Sequence, residues 1–200
     1  MSAQRTEVQV RPGKEADLQA LTDLYNHYVR ETAITFDTNV FTAEERRPWL
    51  LSHPEDGPHR LLVAQEVPSA RILGYATSSS FRPKAAYATS VEVTVYCAPG
   101  VAGRGIGTML YKALFEALGD EDVHRAYAGI TLPNEASAAL HARFGFTPVG
   151  TYREVGRKFG AYHDVAWYEK ELGAQGLNGR GLDGEAVGGK RLTGQEPGGR

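Results

Sequence analysis

A glycine-rich loop between a strand and a helix is the feature that most constrains the fold of this chain. The loop reads PGVAGRGIGT, residues 99–108, and contains four glycines. It follows TSVEVTVYCAP, residues 89–99, whose β-branched residues are typical of a strand, and it leads into GIGTMLYKALFEAL, residues 105–118, which is typical of a helix. A strand, a tight loop and a helix in succession predict a mixed α/β domain.

Three interpretations of this loop compete: a flexible turn, a nucleotide phosphate loop, and another kind of anion-binding loop. A Walker loop requires Gly-Lys followed by Ser or Thr, and the loop has no lysine. A Rossmann fingerprint requires G-x-G-x-x-G, whereas Gly103, Gly105 and Gly107 give G-x-G-x-G. Because glycines let backbone amides approach a ligand, and a helix N-terminus and Arg104 add positive charge, we favour an anion-binding loop over a plain turn.

Composition limits the classes of protein to which the chain can belong. It has 200 residues, 42% of them hydrophobic, and a formal net charge of −2, which fits one domain and argues against a nucleic-acid partner. No apolar stretch approaches the roughly 18 residues that span a bilayer, and MSAQRTEVQV lacks the apolar core of a signal peptide. The single cysteine, Cys97, cannot form an internal disulfide. We therefore expect a cytoplasmic protein without a membrane partner.

Apolar periodicity predicts the order β-α-α-β-β-β-α-β-α-β-β without an internal repeat. A capping-box pair, Thr42 and Glu45, favours the second helix, which Pro48 is expected to kink or shorten. The predicted strands are 6–12, 60–67, 71–81, 89–99, 123–130, 147–155 and 162–172, and the predicted helices are 14–31, 42–53, 105–118 and 135–146.

The end of the chain differs in composition from the rest. Residues 173–200 hold ten of the 23 glycines and no aromatic residue. Such a segment buries too little apolar surface to offset its ordering entropy, so we predict a folded domain at 5–172 and a disordered tail at 173–200.

Several motifs, in order, resemble those of a known family. The segment Ala102–Gly107 is similar to the Gln/Arg-x-x-Gly-x-Gly/Ala pyrophosphate loop of GNAT acetyltransferases. YNHYV, AYATSVEVTVY, GRGIGTMLY, LPNEASAALHARFGF and KFGAYHDVAWYEKEL resemble the phosphinothricin N-acetyltransferase family within it. The resemblance covers about residues 8–172. One departure is Ala102, which stands where the family has Gln or Arg, so one side-chain contact to the pyrophosphate is expected to be missing.

The resemblance implies a mostly antiparallel sheet that splays around the strand bearing Glu92, with helices on both sides and acetyl-CoA in the splay. Alternation places Glu92 on one face with Thr94 and Tyr96, and composition alone favours a solvated strand face there. The family's matching glutamate is its catalytic base. The predicted cofactor-binding residues are Val93, Thr94, Val95, Ala102, Gly103, Arg104, Gly105, Ile106, Gly107 and Asn134; no metal is expected.

Other residues receive roles by the same resemblance. His141 takes the position of a proton donor to the leaving thiolate, although a histidine on a helix is by itself more often structural. Asn134 is by default a helix cap, and the family's asparagine there contacts the pantetheine arm. The predicted substrate-binding residues are Phe36, Arg82, Lys84, Tyr87 and His163, and for the charged residues of FRPKAAY a solvent-exposed loop is an equal alternative.

The expected activity is acetyl transfer from acetyl-CoA to the amine of a small amino-acid-like molecule such as phosphinothricin, methionine sulfoximine or methionine sulfone. Acetylation of another amine, for instance an aminoglycoside or a protein N-terminus, is the alternative within enzymes. A non-catalytic acyl-CoA sensor is the alternative outside them, and keeping both Glu92 and His141 argues against it. The expected partners are a small-molecule amine and a second copy of the chain in a homodimer.

Overall fold

The computed structural model describes residues 7–173, and the rest of the predicted tail lies outside the described residues. The strands are β1 (Glu7–Pro12), β2 (Leu61–Val67), β3 (Ile72–Ser80), β4 (Ser90–Cys97), β5 (Arg125–Thr131), β6 (Thr147–Lys158) and β7 (Ala161–Glu171). The helices are α1 (Leu18–Glu31), α2 (Ala43–Leu51), α3 (Ile106–Leu118) and α4 (Glu135–Arg143). This order of elements is the predicted one.

The seven strands form one open sheet in the order β1-β2-β3-β4-β5-β7-β6. Among these strands β4 and β5 run parallel, and every other neighbouring pair is antiparallel. The α3 face of the sheet carries one apolar cluster, and the face covered by α1 and α2 carries another. The predicted fold class is confirmed.

The splay of the sheet is visible in the pairing of its two parallel strands. Residues 90–92 of β4 pair with residues 125–127 of β5, and no later pair follows among the described residues. From Val93 to Cys97, β4 keeps its partner β3 on one side. Since alternate backbone groups of a strand point to each side, this stretch presents N–H and C=O groups without a strand partner toward β5. The last of them, the Cys97 carbonyl, accepts from the Tyr28 hydroxyl at 2.6 Å.

Local sequence explains most element boundaries. The capping box of α2 forms, with the Glu45 amide donating to Thr42 Oγ1 at 3.2 Å and the Thr42 amide to Glu45 Oε2 at 2.7 Å. Pro48 does not end this helix, which continues to Leu51. The helix predicted from residue 14 begins with a short 3₁₀ turn at 15–17. No helix among residues 7–173 is long and apolar enough to cross a membrane.

Candidate active site

A cleft of about 710 Å³ opens where β4 and β5 diverge. The divergent part of β4, the end of β5, the glycine-rich loop, the N-terminus of α3 and one side of α4 form its walls. Of the ten predicted cofactor-binding residues, nine line this cleft: Val93, Thr94, Val95, Ala102, Gly103, Gly105, Ile106, Gly107 and Asn134.

The glycine-rich loop has the geometry of an anion-binding loop. Gly103 and Gly105 have φ values of +77° and +74°, a backbone region that favours glycine, and a Cβ on either would meet open space. Their amides donate to no acceptor within residues 7–173, and Ile106 begins α3 with further unsatisfied amides. The loop therefore offers free N–H groups and the positive end of a helix to an anion in the cleft.

Arg104 is the predicted cofactor residue that does not line the cleft. Its amide donates to Val101 O at 3.2 Å, and its guanidinium lies 3.4 Å from Glu66 Oε1 at the end of β2. Hydrogen bonds from Arg71, Ser69 and Arg104 lower the pKa of Glu66 to about 2. The Glu66 carboxylate beside the loop therefore neutralises part of the positive charge of Arg104.

Glu92 occupies the last residue pair before the two strands diverge. It lies opposite Ser79 of β3 and Tyr127 of β5, on the face of the sheet that α1 and α2 cover. The side chain is half-buried, and burial raises its pKa above the ordinary value while the charge of Arg82 acts in the opposite direction. A carboxylate with a raised pKa, beside a cleft, is suited to accept a proton.

The predicted substrate-binding residues fall into two groups. In the first, the Arg82 guanidinium lies 4.2 Å from the centroid of the Phe81 ring. Phe81 stacks on Tyr127 with 4.2 Å between ring centroids and lies 6.0 Å from Tyr87. Since Tyr127 is the strand partner of Glu92, this group adjoins the carboxylate. Lys84 is solvent-exposed at the start of a 3₁₀ turn. Its side chain forms no hydrogen bond or ion pair with residues 7–173.

The second group lies where the segment between α1 and α2 meets the hairpin of β6 and β7. The rings of Phe36 and His163 have centroids 6.2 Å apart, and His163 Nε2 lies 3.2 Å from the backbone oxygen of Lys158. Phe36 belongs to the segment between α1 and α2, whose Ile34 lines the cleft.

The model of the acetyltransferase (GNAT) domain family matches residues 10–167 of this chain. The chain belongs to the GNAT acetyltransferase family. A phosphinothricin N-acetyltransferase of Streptomyces coelicolor is 75% identical to this acetyltransferase over 166 residues, 83% of this chain and 97% of the relative. An L-methionine sulfoximine/L-methionine sulfone acetyltransferase of Pseudomonas aeruginosa is 31% identical over 163 residues, 82% of this chain and 94% of the relative.

Solved structures agree with this assignment. The chain superposes with a TM-score of 0.78 and 27% identity on a GNAT phosphinothricin acetyltransferase from Sinorhizobium meliloti in complex with AcCoA, covering 84% of this chain and 89% of that one. The sequence-based prediction of an N-acetyltransferase is confirmed.

His141 is buried in the wall of the acetyltransferase cleft with both ring nitrogens engaged. Its Nδ1 lies 2.7 Å from the backbone oxygen of Ser137, which can only accept, so Nδ1 carries the proton. Its Nε2 lies 2.8 Å from the hydroxyl of Tyr111 and, in this neutral tautomer, accepts from it. Burial lowers the pKa of His141, and the bond to Ser137 acts against that shift. In this arrangement Ser137 holds the proton on Nδ1 and Tyr111 faces Nε2, and the acid role of His141 stays a prediction.

Asn134 caps a helix and also lies in the wall of the cleft, where its expected contact with the cofactor would be made. Its side-chain oxygen accepts from the Ser137 amide at 3.1 Å and caps α4, while the residue lines the cleft. The cap fixes the start of the helix that carries His141.

Sequence reasoning missed Tyr111, which lies fully buried on α3 and also lines the cleft. Its position on the apolar stripe of that helix indicates burial, and a buried hydroxyl needs a partner, but the sequence does not say which. Within residues 7–173, no group of three or more His, Cys, Asp or Glu side chains is arranged to hold a metal ion.

Proposed function

We propose that this acetyltransferase transfers the acetyl group of acetyl-CoA to the amine of a small amino-acid-like acceptor of the phosphinothricin, methionine sulfoximine or methionine sulfone type. The observation that carries the proposal is the cleft, which has free loop amides at one end and whose β4 wall begins at Val93, the residue that follows Glu92. The names of the two relatives above support the choice of acceptor.

The described residues fit acetyl-CoA. The amides of Gly103, Gly105 and Ile106 would hold the pyrophosphate, and Asn134 would contact the pantetheine arm. Gly107 would line the same site, with its amide bonded to the Cys97 thiol. The unpaired amides of β4 near Val93 and Val95 would polarise the thioester carbonyl, because donors fixed before reaction stabilise the developing negative charge. Acetyl-CoA supplies the activated acyl group.

Glu92 is proposed as the base. An alkylammonium with a pKa of about 10.4 is mostly protonated at neutral pH, and leaving it so adds about 4–5 kcal/mol to the barrier. Glu92 accepts that proton, directly or through water. As the amine nitrogen bonds to the acetyl carbon, the carbon–sulfur bond breaks, and the second proton that the nitrogen loses goes to the leaving thiolate.

Direct transfer is favoured over a covalent acetyl-enzyme. Cys97 is the one cysteine of the chain and lines the cleft, but burial raises the pKa of its thiol. Since the thiolate is the nucleophilic form, this environment disfavours an acetyl-cysteine intermediate. We assign His141 a positioning role, in which it couples α4 to α3 through Tyr111.

We also propose a homodimer formed through the hairpin of β6 and β7. Strand β6 is an edge strand, and five of the ten exposed large hydrophobic residues within residues 7–173 belong to this hairpin. They are between 55% and 63% exposed: Val149, Tyr152, Val155, Phe159 and Tyr162. A long unpaired edge with apolar side chains is typical of a surface that pairs with another chain.

Thiol release measured against a panel of amines tests the proposed function. The panel holds phosphinothricin, methionine sulfoximine, methionine sulfone, an aminoglycoside and a peptide with a free N-terminus. We expect the highest kcat/KM for one of the three amino-acid-like amines. A higher value for the aminoglycoside or the peptide would overturn the acceptor class, and no release with any amine would overturn the proposed activity.

A further inference from the structure

The segment of residues 32–41 contains no helix or strand, yet α1 and the hairpin of β6 and β7 hold it. Asn26 of α1 clamps its end, donating to Phe41 O at 2.7 Å and accepting from the Phe41 amide at 2.9 Å. The hydroxyls of Tyr25 and Thr35 lie 2.8 Å apart. The third contact comes from the hairpin of β6 and β7.

Lys158 of β6 provides one part of that hairpin contact. Its side chain is buried, the residue being 4% exposed, and Nζ donates to the backbone oxygen of Thr35 at 2.7 Å. No carboxylate among residues 7–173 forms an ion pair with it. Burial lowers its pKa, and the charge of Asp37 acts in the opposite direction. Burying an ammonium group costs free energy, so the hydrogen bond of Lys158 to this segment indicates a role beyond packing.

Gly156 provides the other contact between the hairpin and residues 32–41. A Cβ at this position would overlap the Phe36 ring, with three ring carbons closer than 3.0 Å. The φ of Gly156 lies outside the left-handed region, so residues other than glycine can also adopt this backbone conformation. The missing side chain instead makes room for the aromatic ring against the strand.

The segment held in this way borders the cleft. Ile34 lines it near Tyr28 and Tyr96, and the buried Thr35 separates Ile34 from Phe36. A shift of the Phe36 ring or of the Thr35 carbonyl would therefore displace the wall of the cleft on the face that carries Glu92.

We infer that Gly156 and Lys158 are positioning residues for the amine acceptor: they hold residues 32–41 so that Ile34 and Phe36 form one wall of the acceptor site. This inference rests on the proposed function, since the acceptor is the amine of that reaction. Gly156 and Lys158 act through residues 32–41 and contact neither the thioester nor Glu92.

The test compares Gly156→Ala with Gly150→Ala. Both glycines lie on β6 outside the left-handed region, but a Cβ on Gly150 meets nothing within 4 Å. We expect Gly156→Ala to raise KM for the best amine about tenfold, because small displacements of substrate-positioning groups are costly, with unchanged affinity for acetyl-CoA. Gly150→Ala should change neither. Equal kinetics for the two variants would overturn the inference.

A double variant shows whether the effect passes through the aromatic ring. Replacing Phe36 by leucine shortens the side chain that Gly156 accommodates. If Gly156 acts through Phe36, then Phe36→Leu with Gly156→Ala should be no worse than Phe36→Leu alone. Losses that simply multiply would contradict the assignment.

Amide hydrogen exchange separates this inference from the proposed function, since it requires no turnover. Exchange of residues 33–37 should be about tenfold faster in Gly156→Ala and in Lys158→Met than in wild type and Gly150→Ala. Unchanged exchange in both variants would overturn the inference even if the wild type acetylates the amine. If the wild type acetylates no amine but exchange accelerates, the proposed function fails while the anchoring of the segment stands.

Discussion

His141 has a hydrogen-bond partner at each ring nitrogen, and burial lowers its pKa and so favours the neutral imidazole. This determines the expected effect of replacing it. His141→Phe keeps an aromatic ring but leaves the buried Tyr111 hydroxyl without its partner and removes the imidazole bond to Ser137 O. We expect kcat/KM to fall about tenfold, by the same factor from about pH 6 to about pH 9, because positioning does not titrate in this range. The measurement is the pH profile of both proteins on one amine. A loss that shrinks as pH rises would restore the acid role.

How far individual site residues could be predicted depends on how local their determinants are. The face on which Glu92 lies follows from strand alternation, and the structure has the same face. The sequence pattern also predicts Asn134 as a cap, since capping involves residues within one turn. The pairing of Tyr111 with His141 could not be predicted, because it depends on how α3 and α4 pack. The contact between Phe36 and Gly156 joins residues far apart in sequence for the same reason.

At the scale of elements, adding one methyl group to the glycine-rich loop tests whether this loop binds the pyrophosphate of acetyl-CoA. Gly105→Ala places a Cβ in the left-handed region at the mouth of the cleft, which strains the backbone by about 1–2 kcal/mol and crowds the anion site. Gly160→Ala, at φ +78° in the turn between β6 and β7, carries the same strain away from the cleft. Calorimetric titration should show weaker acetyl-CoA binding for Gly105→Ala alone. Equal affinity in the two folded variants would contradict the assignment of the loop.

The order of elements could be predicted, whereas their arrangement in the sheet could not. Apolar periodicity is local and gave all eleven segments in order. The insertion of β7 between β5 and β6 depends on pairing between distant residues. The sequence predicts the end of β6 at residue 155, but the strand continues to Lys158 because its pairing with β7 resumes after a bulge. The splay was implied by family resemblance rather than by the residues themselves.

At the scale of the whole molecule, the proposed homodimer depends on the apolar hairpin. Val155→Glu places a charge on the hairpin face, and burying an unpaired charge in an interface is unfavourable. Leu51→Glu, at a residue 63% exposed at the end of α2, is the matched control. Sedimentation should give the mass of two chains for the wild type and Leu51→Glu, and of one chain for Val155→Glu. A wild type with the mass of one chain would contradict the proposal.

In the proposed mechanism, Glu92 takes the proton of an amine that attacks the thioester directly. Glu92→Gln keeps the shape of the side chain and removes the base, which typically contributes 10²–10⁴-fold. Because burial raises the pKa of Glu92, its ionised form is disfavoured in the folded protein, so the amide variant should be at least as stable as the wild type. Glu169→Gln, on the same face beside Tyr127, is the control for loss of a carboxylate.

The most direct measurement is the pH profile of kcat/KM for wild type, Glu92→Gln and Glu169→Gln on the best amine of the panel. We expect Glu92→Gln to lose activity strongly at neutral pH, with unchanged acetyl-CoA affinity, and to recover as pH approaches the pKa of the amine, where free amine becomes abundant. Glu169→Gln should follow the wild type. Parallel profiles for wild type and Glu92→Gln, or full activity of Glu92→Gln, would contradict the claim.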